Sequence, residues 1–153
     1  MKQGFEDAFM DLQSEYISLC MEVCGDLADE LDVLIYQDHS CCAFNAFFVE
    51  KGVVKTAEAY ADDPLVERFL EMGTEDIDKL LACCEEYGHP CPNELRLTYD
   101  TRTGRFDADY QYQPALEAGD LSFFDLFTGW ISEKKELCQS GDGSLIDLQI
   151  DQK

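Results

Sequence analysis

The order of amphipathic segments predicts an α+β fold, an antiparallel sheet with helices packed mainly on one face. Three observations carry this prediction: a leading run with three-and-four apolar spacing, two alternating segments joined by a turn at residues 100–104, and helical stretches set between β-rich runs.

Phe5, Ala8, Phe9, Leu12, Tyr16, Leu19, Cys20, Val23 and Leu27 follow helical spacing, while Glu6, Asp11, Glu15 and Glu22 stay off that stripe. This predicts an amphipathic helix with one buried face, stopped at Gly25 or running on to Leu31. Short β-rich runs follow at 33–36, 43–49 and 53–57, and Glu50, Lys51 and Gly52 form a tight hairpin turn between the last two. Asp62, Asp63 and Pro64 suit a helix N-terminus, and Leu65, Phe69 and Met72 line the helix they open. Gly73 and Thr74 predict a break, with Thr74 capping a further helix whose stripe is Ile77, Leu80, Leu81, Cys84 and Tyr87. Gly88, His89 and Pro90 end that helix.

Residues 94–112 read as a β-hairpin. Leu95, Leu97 and Tyr99 alternate with polar residues, as do Phe106, Ala108, Tyr110 and Tyr112. Ser122, with Asp125 three positions on, caps a last helix whose apolar residues are Phe123, Leu126, Phe127, Trp130, Ile131 and Leu137. Beyond a linker at 139–143, Ile146, Leu148 and Ile150 alternate once more as an edge strand or a free end. The chain therefore divides into one domain over residues 1–138 and a tail over 139–153.

At 153 residues and 46% hydrophobic content, the chain is long and apolar enough to bury a core without disulfides or metal. Its 33 Asp and Glu against 11 Lys and Arg leave a net charge of -22. Nucleic acid and anionic membranes bind through basic patches, so neither is expected as a direct ligand. A basic protein is the natural partner for such a surface, although acidity also serves solubility alone. Residues 1–12 carry Glu6, Asp7 and Asp11 where an export signal needs a basic region and an apolar run. No stretch approaches the ~20 apolar residues of a membrane span. A cytoplasmic protein whose eight cysteines are reduced thiols is the expectation.

Catalytic signatures are absent: there is no phosphate-binding glycine loop, no GxSxG, no HExxH and no EF-hand pattern. His39 and Cys41, like His89 and Cys91, place a His two residues before a Cys, a set that zinc could accept as Cys₂His₂ but without the usual CxxC spacing. Cys20, Cys24, Cys83 and Cys84 lie on or beside helix stripes, where a thiol acts as a small apolar side chain. That leaves Cys41, Cys42 and Cys91 as candidates for thiol chemistry, with no family signature around them. Neither catalytic residues, nor a metal, nor a cofactor is assigned. For binding, the candidates are two acidic clusters: Asp26, Asp29, Glu30 and Asp32 after the first helix, and Asp62, Asp63, Glu67 and Glu71 on the middle one. Asp63, Glu67 and Glu71 stack at four-residue steps, where like charges cost a few tenths of a kcal/mol per pair, an arrangement that a binding role would explain.

The segment from Asn93 through Leu95, Leu97, Tyr99 and Asp100, then Thr103, Gly104 and Phe106, then Tyr110 and Tyr112, resembles the YezG-type immunity proteins. The likeness extends over most of residues 5–135 as an order of helix, strand pair, helices, hairpin and a later helix carrying a Trp, here Trp130. What the resemblance implies is a cytoplasmic antitoxin that neutralises a cognate polymorphic toxin, often a nuclease, by direct binding. The alternatives from other classes are a DNA mimic or adaptor for a host nucleic-acid-binding protein, and a zinc- or thiol-dependent enzyme.

Overall fold

The computed structural model describes residues 4–140, which form four α-helices and five strands. In chain order these are α1 (Phe5–Cys24), β1 (Glu30–Gln37), β2 (Cys42–Glu50), β3 (Val53–Thr56), α2 (Asp63–Glu75), α3 (Ile77–Glu86), β4 (Glu94–Asp100), β5 (Phe106–Gln111) and α4 (Phe123–Ser140). A short 3-10 turn, Ala57–Ala59, links β3 to α2. All strand pairs are antiparallel and the order is β3-β2-β1-β4-β5, so β1 is the central strand.

This is the α+β sheet that the segment order predicts, and α1, α2 and α3 pack together on one of its faces. There Leu31, Val33 and Ile35 of β1 meet Phe44, Ala46 and Phe48 of β2 and Leu95 and Leu97 of β4. The fourth helix covers part of the opposite face, where Phe127 and Trp130 pack on Leu34 and Phe47. With helices on both sides of β1, residues 31–36 are all buried and the usual strand alternation vanishes.

Helix α1 stops where the sequence says it should. Gly25 takes φ +62°, a left-handed conformation that costs glycine little, and its N–H donates to the Met21 carbonyl at 2.8 Å. Leu27, counted on the helical stripe, lies beyond this stop and is exposed, while Gln13 and Ile17 take buried positions that the stripe omitted. The β2–β3 turn is the expected tight hairpin: Glu50 faces Val53, and Lys51 and Gly52 both have positive φ. Ser122 and Asp125 form a reciprocal capping box at α4, with N–H to side-chain oxygen distances of 3.1 and 2.9 Å. The helix then runs through Gln139 and Ser140, two residues past the predicted domain edge. The predicted alternation at 146–150 falls outside the described residues.

The break expected at Gly73 and Thr74 is not there. Helix α2 continues to Glu75 and the chain turns at Asp76 instead. Thr74 caps nothing; its hydroxyl donates back to the Leu70 carbonyl at 2.8 Å, as mid-helix threonines do. Gly73 is a contact residue, because the ring of Phe44 occupies the space where a side chain would stand. The Gly73 carbonyl also accepts a hydrogen bond from the Tyr16 hydroxyl at 2.6 Å, which ties α2 to α1.

Gly73→Ala is therefore expected to destabilise by about 1–3 kcal/mol through overpacking. An unobstructed helical position would show the opposite sign, a gain of about 1 kcal/mol. Urea unfolding distinguishes the two, and an unchanged midpoint would mean that Phe44 moves aside at no cost.

Candidate functional site

The structure divides the two predicted acidic clusters. In the first, three of four carboxylates are engaged within the fold. Asp29 accepts the Lys51 backbone N–H at 2.8 Å, and its carbonyl accepts from the Thr101 N–H, so it clamps the β2–β3 turn to the β4–β5 turn. Glu30 accepts from the Lys134 ammonium at 2.6 Å, which joins β1 to α4. Asp32 was expected in an exposed cluster; its side chain is instead fully buried beneath α4. The reason is register: Asp32 pairs with Phe47 and Thr98 on the two neighbouring strands and points to the face that α4 covers. Only Asp26, in the α1–β1 connection, keeps the exposure expected of the cluster.

Around Asp32 lies a small ionic network. Its Oδ1 accepts from the Thr98 hydroxyl at 2.9 Å and lies 3.8 Å from the Lys134 ammonium, while Oδ2 has no donor. Burial, then hydrogen bonding and charge from Glu30, push the Asp32 carboxyl well above the usual carboxylate range, against the pull of Lys134 and Thr98. A proton on Oδ2 would turn that orphaned acceptor into a donor toward Glu30. For Lys134, burial favours the neutral amine, but Asp32 and Glu30 outweigh it and hold the ammonium above its ordinary value.

The second cluster stays at the surface. Asp62 caps α2, accepting the Leu65 N–H at 3.2 Å, whereas Asp63, Glu67 and Glu71 stand exposed along the outer side of that helix. Neighbouring helices extend this character through Glu6, Asp7, Glu15 and Glu22 of α1 and Asp78 and Glu85 of α3, all exposed. Arg68 and Lys79 are the basic residues of these three helices, and Lys79 is tied to Glu15 at 3.5 Å and Asp76 at 3.4 Å. The helical layer therefore presents mainly negative charge to solvent.

A second feature of this layer combines residues that the sequence does not group. Beside β5, the outer strand of the sheet among the described residues, Tyr110 and Tyr112 line a cleft of about 590 Å³ with the first turns of α1. Phe5, Phe9 and Met10 form its helical wall with His89 from the α3–β4 loop, and Glu6, Asp7 and Gln13 complete it. Phe5 stacks on His89 with ring centroids 4.1 Å apart, and Phe9 meets Tyr110 edge-on at 5.9 Å. The buried Gln13 fixes the Tyr110 ring by accepting its hydroxyl proton at 2.9 Å. In the sequence, Met10 gives the one local signal: an apolar residue that falls between positions of the α1 stripe.

The two His–Cys steps are engaged at different elements. His39 pairs with Glu117 at 3.2 Å, and His89 belongs to the aromatic stack. No group of three or more His, Cys, Asp or Glu among the described residues could hold a metal ion. All eight thiols are raised above their ordinary value, with burial the largest cause in each, and Cys91 is pushed up to about 12. A nucleophilic cysteine needs the opposite, a neighbourhood that stabilises thiolate. No helix among the described residues is long and apolar enough to cross a membrane. No family model matches this chain, and no curated protein matches its sequence.

Proposed function

We propose that this protein is an immunity protein of the YezG type, a cytoplasmic, non-enzymatic inhibitor that binds a cognate bacterial toxin and covers its active site. The observation that carries the reading is the predominantly acidic outer surface of α1, α2 and α3, with Asp63, Glu67 and Glu71 exposed on it and Arg68 and Lys79 its basic residues. A nuclease toxin must hold phosphates in a cationic cleft, and this surface is complementary to such a cleft in charge. Like charges stacked along a helix cost stability, so a binding partner gives them a purpose. The thiols, all raised by burial, count against a cysteine nucleophile.

Of the predicted contact residues, Asp63, Glu67, Glu71 and Asp26 suit this role. Asp62 holds the helix cap, and Asp29, Glu30 and Asp32 serve the fold. The test is charge reversal, Asp63→Lys with Glu67→Lys and Glu71→Lys, measured by stopped-flow association with the cognate toxin domain. The expected result is an association rate at least about tenfold lower at low salt, with a flatter salt dependence and an unchanged melting temperature. An unchanged rate would overturn the steering role of α2. Specific capture of a host nucleic-acid-binding protein in place of a toxin would move the reading to a DNA mimic.

A further inference from the structure

We propose that the cleft between the first turns of α1 and the outer strand β5 is the seat for an arginine side chain of the partner protein. The lining is aromatic: Phe5 stacks between Phe9 and His89 with centroids at 5.1 and 4.1 Å, Tyr110 meets Phe9 edge-on, and the exposed Tyr112 ring and the Met10 thioether complete it. Two carboxylates, Glu6 and Asp7, stand at the helical wall, and both are exposed. Those are the two components that a guanidinium needs: flat π surfaces on which its plane can stack, and anionic oxygens that accept its diverging N–H donors. A lysine would use the carboxylates but not the aromatic surface, and an apolar side chain would use the aromatic surface but not the carboxylates.

The volume, about 590 Å³, is within the range of side-chain and ligand pockets and leaves room for an apolar residue beside the arginine. Met10 and Tyr112 are 41% and 49% exposed, so the wall has apolar area to offer that neighbour. Arginine is also the cationic residue most often found at the energetic centre of protein interfaces. The position fits as well. The cleft opens beside the acidic outer surface of α1 and along β5, the outer strand of the sheet among the described residues. The long-range field of a chain with net charge -22 brings the cation in, and the rings then hold it.

This inference rests on the proposed function for the protein that carries the arginine, but the cleft can be tested without that protein. The full chain, labelled for NMR, is titrated with N-acetyl-arginine methylamide, with the uncharged citrulline analogue, and with tetramethylammonium. The expected result is a saturable shift of the Met10 methyl and the Tyr112 ring signals by the arginine probe. Citrulline should bind about tenfold more weakly, and either Asp7→Asn or Tyr112→Ala should weaken the arginine response severalfold. Both replaced residues are exposed, so the folded signal dispersion should persist.

Equal shifts across Glu67 and Glu71, or an equal response to citrulline, would overturn the cleft as a site. Tighter binding of tetramethylammonium would overturn arginine as its occupant. Loss of the arginine response in a protein that still neutralises its toxin removes the cleft alone. A responsive cleft in a protein that binds no toxin keeps the site and removes the immunity reading.

Discussion

Trp130→Ala is expected to lower the unfolding free energy by about 3–5 kcal/mol and to release α4 before the rest of the fold opens. The core beneath α4 is small: Leu34, Phe47, Phe127 and Trp130 are its buried members. Trp130 is the largest of them and is 8% exposed. Its indole meets the Phe47 ring at 4.9 Å in a T-shaped contact, and the Arg96 guanidinium lies 5.0 Å from the ring centre. Removing the indole therefore takes away aromatic area, an edge-to-face pair and a cation–π contact together. It also loosens Arg96, which bridges Glu94 at 2.8 Å and Glu133 on α4 at 3.7 Å. Hydrogen exchange should show α4 amides losing protection while those of β1 and α1 keep theirs. Trp130 is the sole tryptophan, so its fluorescence reports α4 docking in the parent chain, and circular dichroism must follow the variant. Protected α4 amides in Trp130→Ala, with a loss below about 1 kcal/mol, would show that α4 is held by something other than this core.

How much of this was legible in the sequence depends on whether the governing contact is local. The α1 stop at Gly25, the Lys51–Gly52 turn and the Ser122–Asp125 cap are set by backbone chemistry within a few residues, and each is found where the residues indicate. The burial of Cys20, Cys24, Cys83 and Cys84 follows from helical periodicity in the same way. Gly73 violates the local rule because its reason lies elsewhere: Phe44, on β2, needs the space that a side chain would fill. Asp32 and Gln13 fail for the same cause. A polar residue within an apolar run reads as exposed unless the partners that satisfy it, Thr98 and Tyr110, are known from the fold. The site follows this division. The row of Asp63, Glu67 and Glu71 is visible as i, i+4 spacing, whereas the cleft joins Phe5 and Met10 to Tyr112 across a hundred residues of chain, and no spacing rule connects them.

Asp32→Asn is expected to stabilise the protein, and to do so increasingly as pH rises. The sign follows from the direction of the shift. In the unfolded chain Asp32 titrates near ~3.9, whereas burial and the adjacent Glu30 hold its folded value well above the carboxylate range. The folded state therefore binds a proton that the unfolded state has released. Stability from this group is complete below the unfolded value, falls by about 1.4 kcal/mol per pH unit up to the folded value, and is flat beyond it. Asparagine keeps the shape, accepts from Thr98 and donates to Glu30 with no proton to lose. The stability of Asp32→Asn minus that of the parent should thus begin near zero at pH 4 and grow until the pH passes the folded value of Asp32. Taking the difference removes the background that every other carboxylate contributes. Lys134 does not confuse this window, since its raised value makes its contribution disappear only above its ordinary value of ~10.4. Lys134→Met provides the opposing arm. It takes away the cation that pairs with Glu30, so it should cost roughly 2–3 kcal/mol at neutral pH, less than the ~3–5 of a fully buried pair because Glu30 is 27% exposed. In the Asp32→Asn background that cost should stay about the same, since protonated Asp32 and asparagine are both neutral and Glu30 is the carboxylate that loses its partner. A pH-independent difference between Asp32→Asn and the parent would mean that Asp32 is ionised throughout and that Lys134, not a proton, satisfies it.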